Sequence, residues 1–524
     1  MIRILKAIAP ILVGGAVMAL PIPRGIEPFA WHYLAIFIAV IVALVLETIP
    51  PAAAGLIGIC LAAALLLVPV APPNAGNSGS AVSVQSSQVQ PTAAKSLQER
   101  GERSPGSLPD QKPAPTAKTA KPKPADEIQW VLSGFSDATV WLIFTAFMFA
   151  AGYEKTGLGR RISLMLIGKL GRKTLGLGYA VALADLALAP FMPSITARSG
   201  GTIFPIIKNI PALYGSAPGE TSRKIGSYLM WTSLAATCVT SSMFLTALAP
   251  NLLAVSLLRK TASVDISWME WFKCFLPVGL ILFLAVPYLV YKIYPPELKT
   301  SEEAPKWAAE ELAGMGKITR REIAMACLAL FSLTLWIFGG AYLNATLVAL
   351  VALSLMVLLG VISWEDVVGN KQAWNVLLWF ATLVTLADGL NKVGFLNWFA
   401  KATSAHLAGF PVLTAAVCIA AIFFLIHYMF ASLTAHVTAL LPVFLSAILL
   451  IDGMPVRLMS MLLAMSLGLM GILTPYATGP SPIYYGSGYI RSSDFWRLGL
   501  IFGAIYLAVF LGIGVPYILF LGIW

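Results

Sequence analysis

The stretch TLGLGYAVALADLALAPFMPSITARSGGTIFPIIK, residues Thr174–Lys208, decides how the rest of the chain is read. It is apolar almost throughout, yet Pro190, Pro193, the Gly200-Gly201 pair and Pro205 interrupt its middle. Proline lacks the N–H a helix needs and clashes with the preceding turn. At a rise of about 1.5 Å per helical residue the stretch is barely long enough to cross a bilayer twice. A re-entrant hairpin, entering and leaving on one face, fits better. Irregular backbone at membrane depth is tolerated only where protein or a water-filled cavity surrounds it. The stretch is therefore a site candidate on physical grounds alone.

The surrounding sequence supports lipid as the solvent. Of 524 residues, 58% are hydrophobic and 11% are charged, and mean hydropathy is +0.82. That charge is about half the soluble norm and cannot cover a soluble protein of this size. Apolar runs predict eleven spans at about 4–21, 30–47, 52–70, 130–153, 225–258, 271–292, 322–338, 342–362, 374–391, 455–488 and 496–522. A second irregular stretch, about 409–451, joins 174–208 as a re-entrant hairpin. The expected class is an all-α membrane protein, with no nucleic-acid-binding domain. Arg3 and Lys6 precede the first run, but no small-residue cleavage site closes it at Leu20-Pro21-Ile22-Pro23, so it is expected to stay as a span. The five cysteines have no CxxC spacing, and neither a metal site nor a cofactor is expected.

These runs divide the chain into N-terminal helices (1–71), a polar loop (72–128) of disordered composition, a first repeat (129–293), a cytoplasmic linker (294–321) and a second repeat (322–524). The first repeat holds hairpin 174–208 and a broken helix at 225–258; the second holds hairpin 409–451 and a broken helix at 455–488. With the N-terminus placed in the cytoplasm, 20 Lys/Arg fall on that side and 7 on the other, leaving aside seven in the weakly counted loop. The net charge of +11 is thus mainly topology. One basic residue, Arg198, belongs to neither side.

The chain also repeats once. Ser194-Ile195-Thr196-Ala197-Arg198, followed by Pro205, matches Ser432-Leu433-Thr434-Ala435-His436, followed by Pro442, at an offset of 238. Val140-Trp141-Leu142-Ile143-Phe144 and Lys155-Thr156-Gly157 match Val376-Leu377-Leu378-Trp379-Phe380 and Lys392-Val393-Gly394 at 236 and 237. Thr246 with Pro250 matches Thr478 with Pro482 at 232. Five spans separate the hairpins, so the second enters from the opposite face. Inverted repeats with matching broken segments are the strongest sequence pointer to a secondary transporter with a midplane site.

The candidate substrate-binding residues come from those four breaks. Arg198 at membrane depth costs at least about 2.5–3.5 kcal/mol on insertion scales, and its guanidinium suits a carboxylate. A buried pair with Asp185 is the bland alternative, but nine to thirteen residues separate Asp185 from the motif. His436 holds the matching place in the second half and can change charge near neutral pH. Ser194, Thr196, Ser432 and Thr434 offer hydroxyls where helix halves begin, and helix starts favour anions. Thr246, Pro250 and Asn251, with Thr474, Pro475, Thr478, Pro480, Ser481 and Pro482, form the two breaks as expected site walls. Glu47, Asp185 and Asp388 are the remaining acidic residues in or near spans and are given no site role.

Pro193–Gly201, Phe430–His436 and Leu473–Gly486 together resemble the divalent anion/sodium symporter superfamily, over nearly the whole chain outside the polar loop. The chain looks most like its bacterial citrate, tartrate and succinate exchangers and the plastid 2-oxoglutarate/malate translocators. The resemblance implies a homodimer in a bacterial inner membrane, with transport domains moving as elevators and substrate held between hairpin tips and broken spans. It departs from the superfamily's Ser-Asn-Thr signature, since Ile195 and Leu433 stand where Asn is expected and supply no oxygen for sodium. Exchange of small carboxylate anions without sodium is the expected activity. An unpaired Arg198 charge adding only about 3 kcal/mol would slow return of the empty carrier roughly a hundredfold and so enforce exchange. The alternatives are a sodium- or proton-coupled carboxylate or sulfate symporter and, from other classes, an intramembrane enzyme or a structural anchor.

Overall fold

The computed structural model describes residues 2–46, 48–68, 124–340, 342–396, 398–399 and 411–523. Glu47, Lys401, residues 72–123 of the polar loop and the first two positions of the second hairpin lie outside the described residues. Among those described the chain is helical, with a single β-bridge, Lys173 to Thr300, and no strand.

Three helices, Ile2–Ala19, Pro28–Leu46 and Pro51–Ala64, precede the first repeat. Two helical segments follow, Glu127–Ser136 and Ala138–Thr156, bent by 44° to one another. Asp137 makes the second a fresh start, accepting from the Thr139 N–H. Gly157, at φ 74°, turns the chain into helix Leu158–Leu170. Among the described residues, six helices are long and apolar enough to span a bilayer by themselves, seven if the bent pair counts as one. Four of the expected apolar runs are cut into shorter pieces.

The first cut run is the hairpin. Helix Thr174–Leu188 continues as a 3-10 turn through Phe191, reverses at Met192–Ile195 and returns as a π-helix, Thr196–Ile203. The first broken span runs as Gly226–Met243, a short turn at Leu245–Ala247, and Ala249–Ala262, with Pro250 just inside the last helix. In the second half, Val412–Leu425 and Leu433–Ile448 form the hairpin legs. Val456–Leu469 and Ser481–Gly486 flank the second break.

One large buried cluster runs from Val140 to Ile518. A smaller one packs the N-terminal helices on Trp130 and the end of helix Lys371–Lys392. Helices in lipid gain little from hydrophobic association and rely on close backbone approach. Gly134 shows this: a Cβ there would lie 1.9 Å from the Ala381 carbonyl oxygen. The Tyr33 hydroxyl ties helix Pro28–Leu46 to the same helix, Lys371–Lys392, by donating to the Leu386 carbonyl at 2.7 Å.

Candidate functional site

Both hairpin tips are built alike. At the first, Ser194 Oγ accepts from the Ala197 N–H at 3.2 Å, and the Arg198 N–H donates to the Ser194 carbonyl at 2.8 Å. At the second, Ser432 Oγ accepts from the Ala435 N–H at 3.4 Å, and the His436 N–H donates to the Ser432 carbonyl at 3.0 Å. Each serine caps a new helical segment, and the first N–H groups of that segment have no partner within it.

The tips and the breaks meet around one cavity of about 280 Å³. Ser194 and Thr196 enter from the first tip, Ser432 and Thr434 from the second. Leu248–Pro250 and Thr478-Gly479 bring in the two breaks. Phe147 and the helix carrying Gln372, Val376, Trp379 and Phe380 close the other wall. Among the described residues, no charged side chain lines it. Phe147, Thr196 and Gln372 also border a wider cavity of about 840 Å³ whose rim carries Glu154, Lys155, Glu365 and Asp366. Lys155 and Asp366 form an ion pair there. The Lys155 ammonium, with the Ser363 N–H, holds the Asp366 carboxyl down to about 2.

The remaining expected site residues stand behind the wall or shape it. Thr246 Oγ donates to the Pro190 carbonyl at 2.6 Å and accepts from Trp268 Nε1 at 3.1 Å. Asn251 Nδ2 donates to the carbonyls of Ser241 at 2.8 Å and Phe244 at 3.3 Å, which the end of helix Gly226–Met243 leaves open. Thr474 and Ser481 are buried within the second break, where Ser481 Oγ reaches the Gly471 carbonyl at 3.4 Å. Pro475, Pro480 and Pro482 interrupt that span without lining the cavity. Gly479 comes so near the first tip that a Cβ there would lie 1.9 Å from Thr196 Oγ1.

Arg198 is fully buried and does not line the cavity. The expectation of an unpaired charge on it does not hold. Nε lies 3.3 Å from both carboxylate oxygens of Asp185, which sequence separation had set aside. The physical reason is packing: the hairpin leg bearing Asp185 lies against both the π-helix and helix Gly226–Met243. His436 is buried too, edge-on to Phe423, His427 and Phe430 at centroid distances of 4.5, 5.1 and 5.1 Å. Among the described residues, neither of its ring nitrogens has a hydrogen-bond partner. The sequence reading missed His427, whose Nε2 meets the Ala477 carbonyl at 2.9 Å and ties the second hairpin to the second break. A buried histidine in an apolar run was the available signal. Tyr484 was missed as well: its hydroxyl joins Ser199 Oγ at 2.9 Å and Ser233 Oγ at 2.6 Å.

The family described as the sodium:sulfate symporter transmembrane region matches residues 2–524. A citrate/succinate antiporter of Escherichia coli K12 is 45% identical over 515 residues, covering 98% of each chain. An L-tartrate/succinate antiporter of the same strain is 44% identical over 508 residues, covering 96% of each. Among solved structures, the Alcanivorax borkumensis YdaH transporter superposes with TM-score 0.50 at 18% identity, over 76% of this chain and 89% of that one. The Neisseria gonorrhoeae MtrF pump gives 0.51 at 12%, over 74% and 83%. The last two are likenesses of fold alone.

Proposed function

This chain belongs to the sodium:sulfate symporter transmembrane family, and from that premise we propose that it exchanges di- or tricarboxylates by sodium-independent antiport across a bacterial inner membrane. The single observation that carries the reading is the convergence of two capped Ser-x-Thr tips and two broken spans on one cavity. Hydroxyls of Ser194, Thr196, Ser432, Thr434 and Thr478, with the helix starts at the two tips, present donors from opposite sides to an anion with two ends. Relatives at 45% and 44% identity are named as citrate/succinate and L-tartrate/succinate antiporters, which supports succinate as one of the pair.

The residues do not fit sodium. Ile195 and Leu433 bring no oxygen, and the Met192 and Ala247 carbonyls already accept from Arg198 Nη1 at 2.8 and 2.7 Å. We read the hairpins and broken spans as the moving piece of an elevator, and the helices carrying Phe147 and Gln372 as its fixed wall, within a homodimer. With the N-terminus cytoplasmic, the wide cavity at Lys155 and Asp366 opens inward.

The family's description as a sodium:sulfate symporter favours a second reading, sodium-driven uptake. Proteoliposomes preloaded with unlabelled succinate decide between them. Labelled succinate or citrate should enter only when counter-substrate is inside, at the same rate with and without sodium. Uptake into empty vesicles along a sodium gradient would overturn the antiport reading.

A further inference from the structure

We propose that Asp185 and Arg198 form a net-neutral node that fixes the first hairpin tip onto the first break, making Arg198 a positioning residue and not a ligand of the transported carboxylate. The inference rests on the carboxylate-exchange reading for its substrate, but not for its geometry. A guanidinium has five N–H donors, and all of them are engaged inside the protein. Nε faces Asp185; Nη1 donates to the Met192 and Ala247 carbonyls. Nη2 donates to Ser241 Oγ at 2.7 Å and Thr237 Oγ1 at 3.4 Å. Asp185 is held in turn by Thr237 Oγ1 at 2.9 Å and by Thr240 Oγ1.

Four pieces of chain therefore meet at one side chain: the entering leg at Asp185, the tip at Met192, helix Gly226–Met243, and the break at Ala247. Two further bonds run parallel to it. The Ala249 N–H donates to the Pro193 carbonyl at 2.9 Å, and Thr246 donates to that of Pro190. The side chains of Arg198 and Asp185 are 0% and 2% exposed, so no donor is left for a solute in the cavity. Two consequences follow. The tip and the break move as one unit, and this half of the site contributes no net charge, so recognition of the anion falls to hydroxyls and backbone N–H groups.

The test is a double-mutant cycle, Asp185→Asn, Arg198→Gln and both together, read by succinate counterflow in proteoliposomes and by thermal unfolding in detergent. Each single change leaves a buried charge without its partner. Exchange should fall at least a hundredfold in each, and the double mutant should return to within about tenfold of the parent with succinate KM within threefold. A double mutant that folds but transports no better than Arg198→Gln would overturn the proposal. Should the double mutant not fold, Ser241→Ala decides, because it removes one acceptor without touching charge. It should lower turnover several-fold at unchanged KM, whereas a tenfold rise in KM at unchanged turnover would overturn the proposal. Absence of exchange in the parent would instead sink the carboxylate reading, leaving the unfolding cycle to report on the node alone.

Discussion

Gly479→Ala is the sharpest probe of how the two halves meet. The added Cβ would fall 1.9 Å from Thr196 Oγ1 and 3.2 Å from Thr196 Cβ. A separation of 1.9 Å cannot exist between non-bonded heavy atoms, whereas 3.2 Å needs only a few tenths of an ångström of relief. The clash is thus specific to the hydroxyl. Thr196 must rotate that hydroxyl away from its place at the cavity wall, or the second break must retreat. Under the proposed carboxylate exchange, either way removes one donor to the anion. A hydrogen bond to a charged group is worth about 1.5–3 kcal/mol, which corresponds to a rise in KM of about 10- to 150-fold. Thr196→Ala deletes the same donor by another route and should raise KM similarly. In Gly479→Ala/Thr196→Ala the offending oxygen is gone, so the double mutant should resemble Thr196→Ala alone instead of multiplying the two losses. Counterflow of labelled succinate, with KM and maximal rate fitted separately, reads the cycle. Additive effects, or a Gly479→Ala protein with parental KM, would refute the contact between the second break and the first tip.

Two further outcomes follow from the same structure. Asn251→Ala strips two carbonyls at the end of helix Gly226–Met243 of their donor and should cost about 1–3 kcal/mol, seen as a lower unfolding temperature; an unchanged temperature would show that the amide is not what closes that helix. Asp366, its carboxyl depressed to about 2 by Lys155 and the Ser363 N–H, contributes stability that is complete above the ordinary carboxyl value near ~4 and is lost only as pH falls toward 2. Asp366→Asn should therefore lower the unfolding temperature equally at pH 8 and pH 5, and a penalty already fading between those values would contradict the pairing.

Much of this architecture is legible in the sequence because its causes are local. A helix in lipid must be apolar for about 20 residues, and a proline or glycine pair inside such a run has to break it, so interruptions are expected in four runs, and helices stop within each of them. Ser194 and Ser432 could be matched because each caps its own next turn, within four residues of chain. The count of full-length spans was less legible, since hydropathy does not distinguish a bent pair such as Glu127–Ser136 and Ala138–Thr156 from a straight helix.

By itself, then, the sequence determined the solvent, the internal repeat and the four interruptions, all properties of neighbouring residues. Only the tertiary structure decided which of those residues face the cavity and which stand behind it. Arg198 was conspicuous as a charge in lipid, but its environment depends on Asp185, Thr237, Ser241 and Ala247, brought in by three separate elements. His427 and Tyr484 likewise acquire meaning from the Ala477 carbonyl and from Ser199 and Ser233, 50 to 285 positions away. A buried polar group must find partners wherever packing supplies them, and packing is a property of the assembled helices.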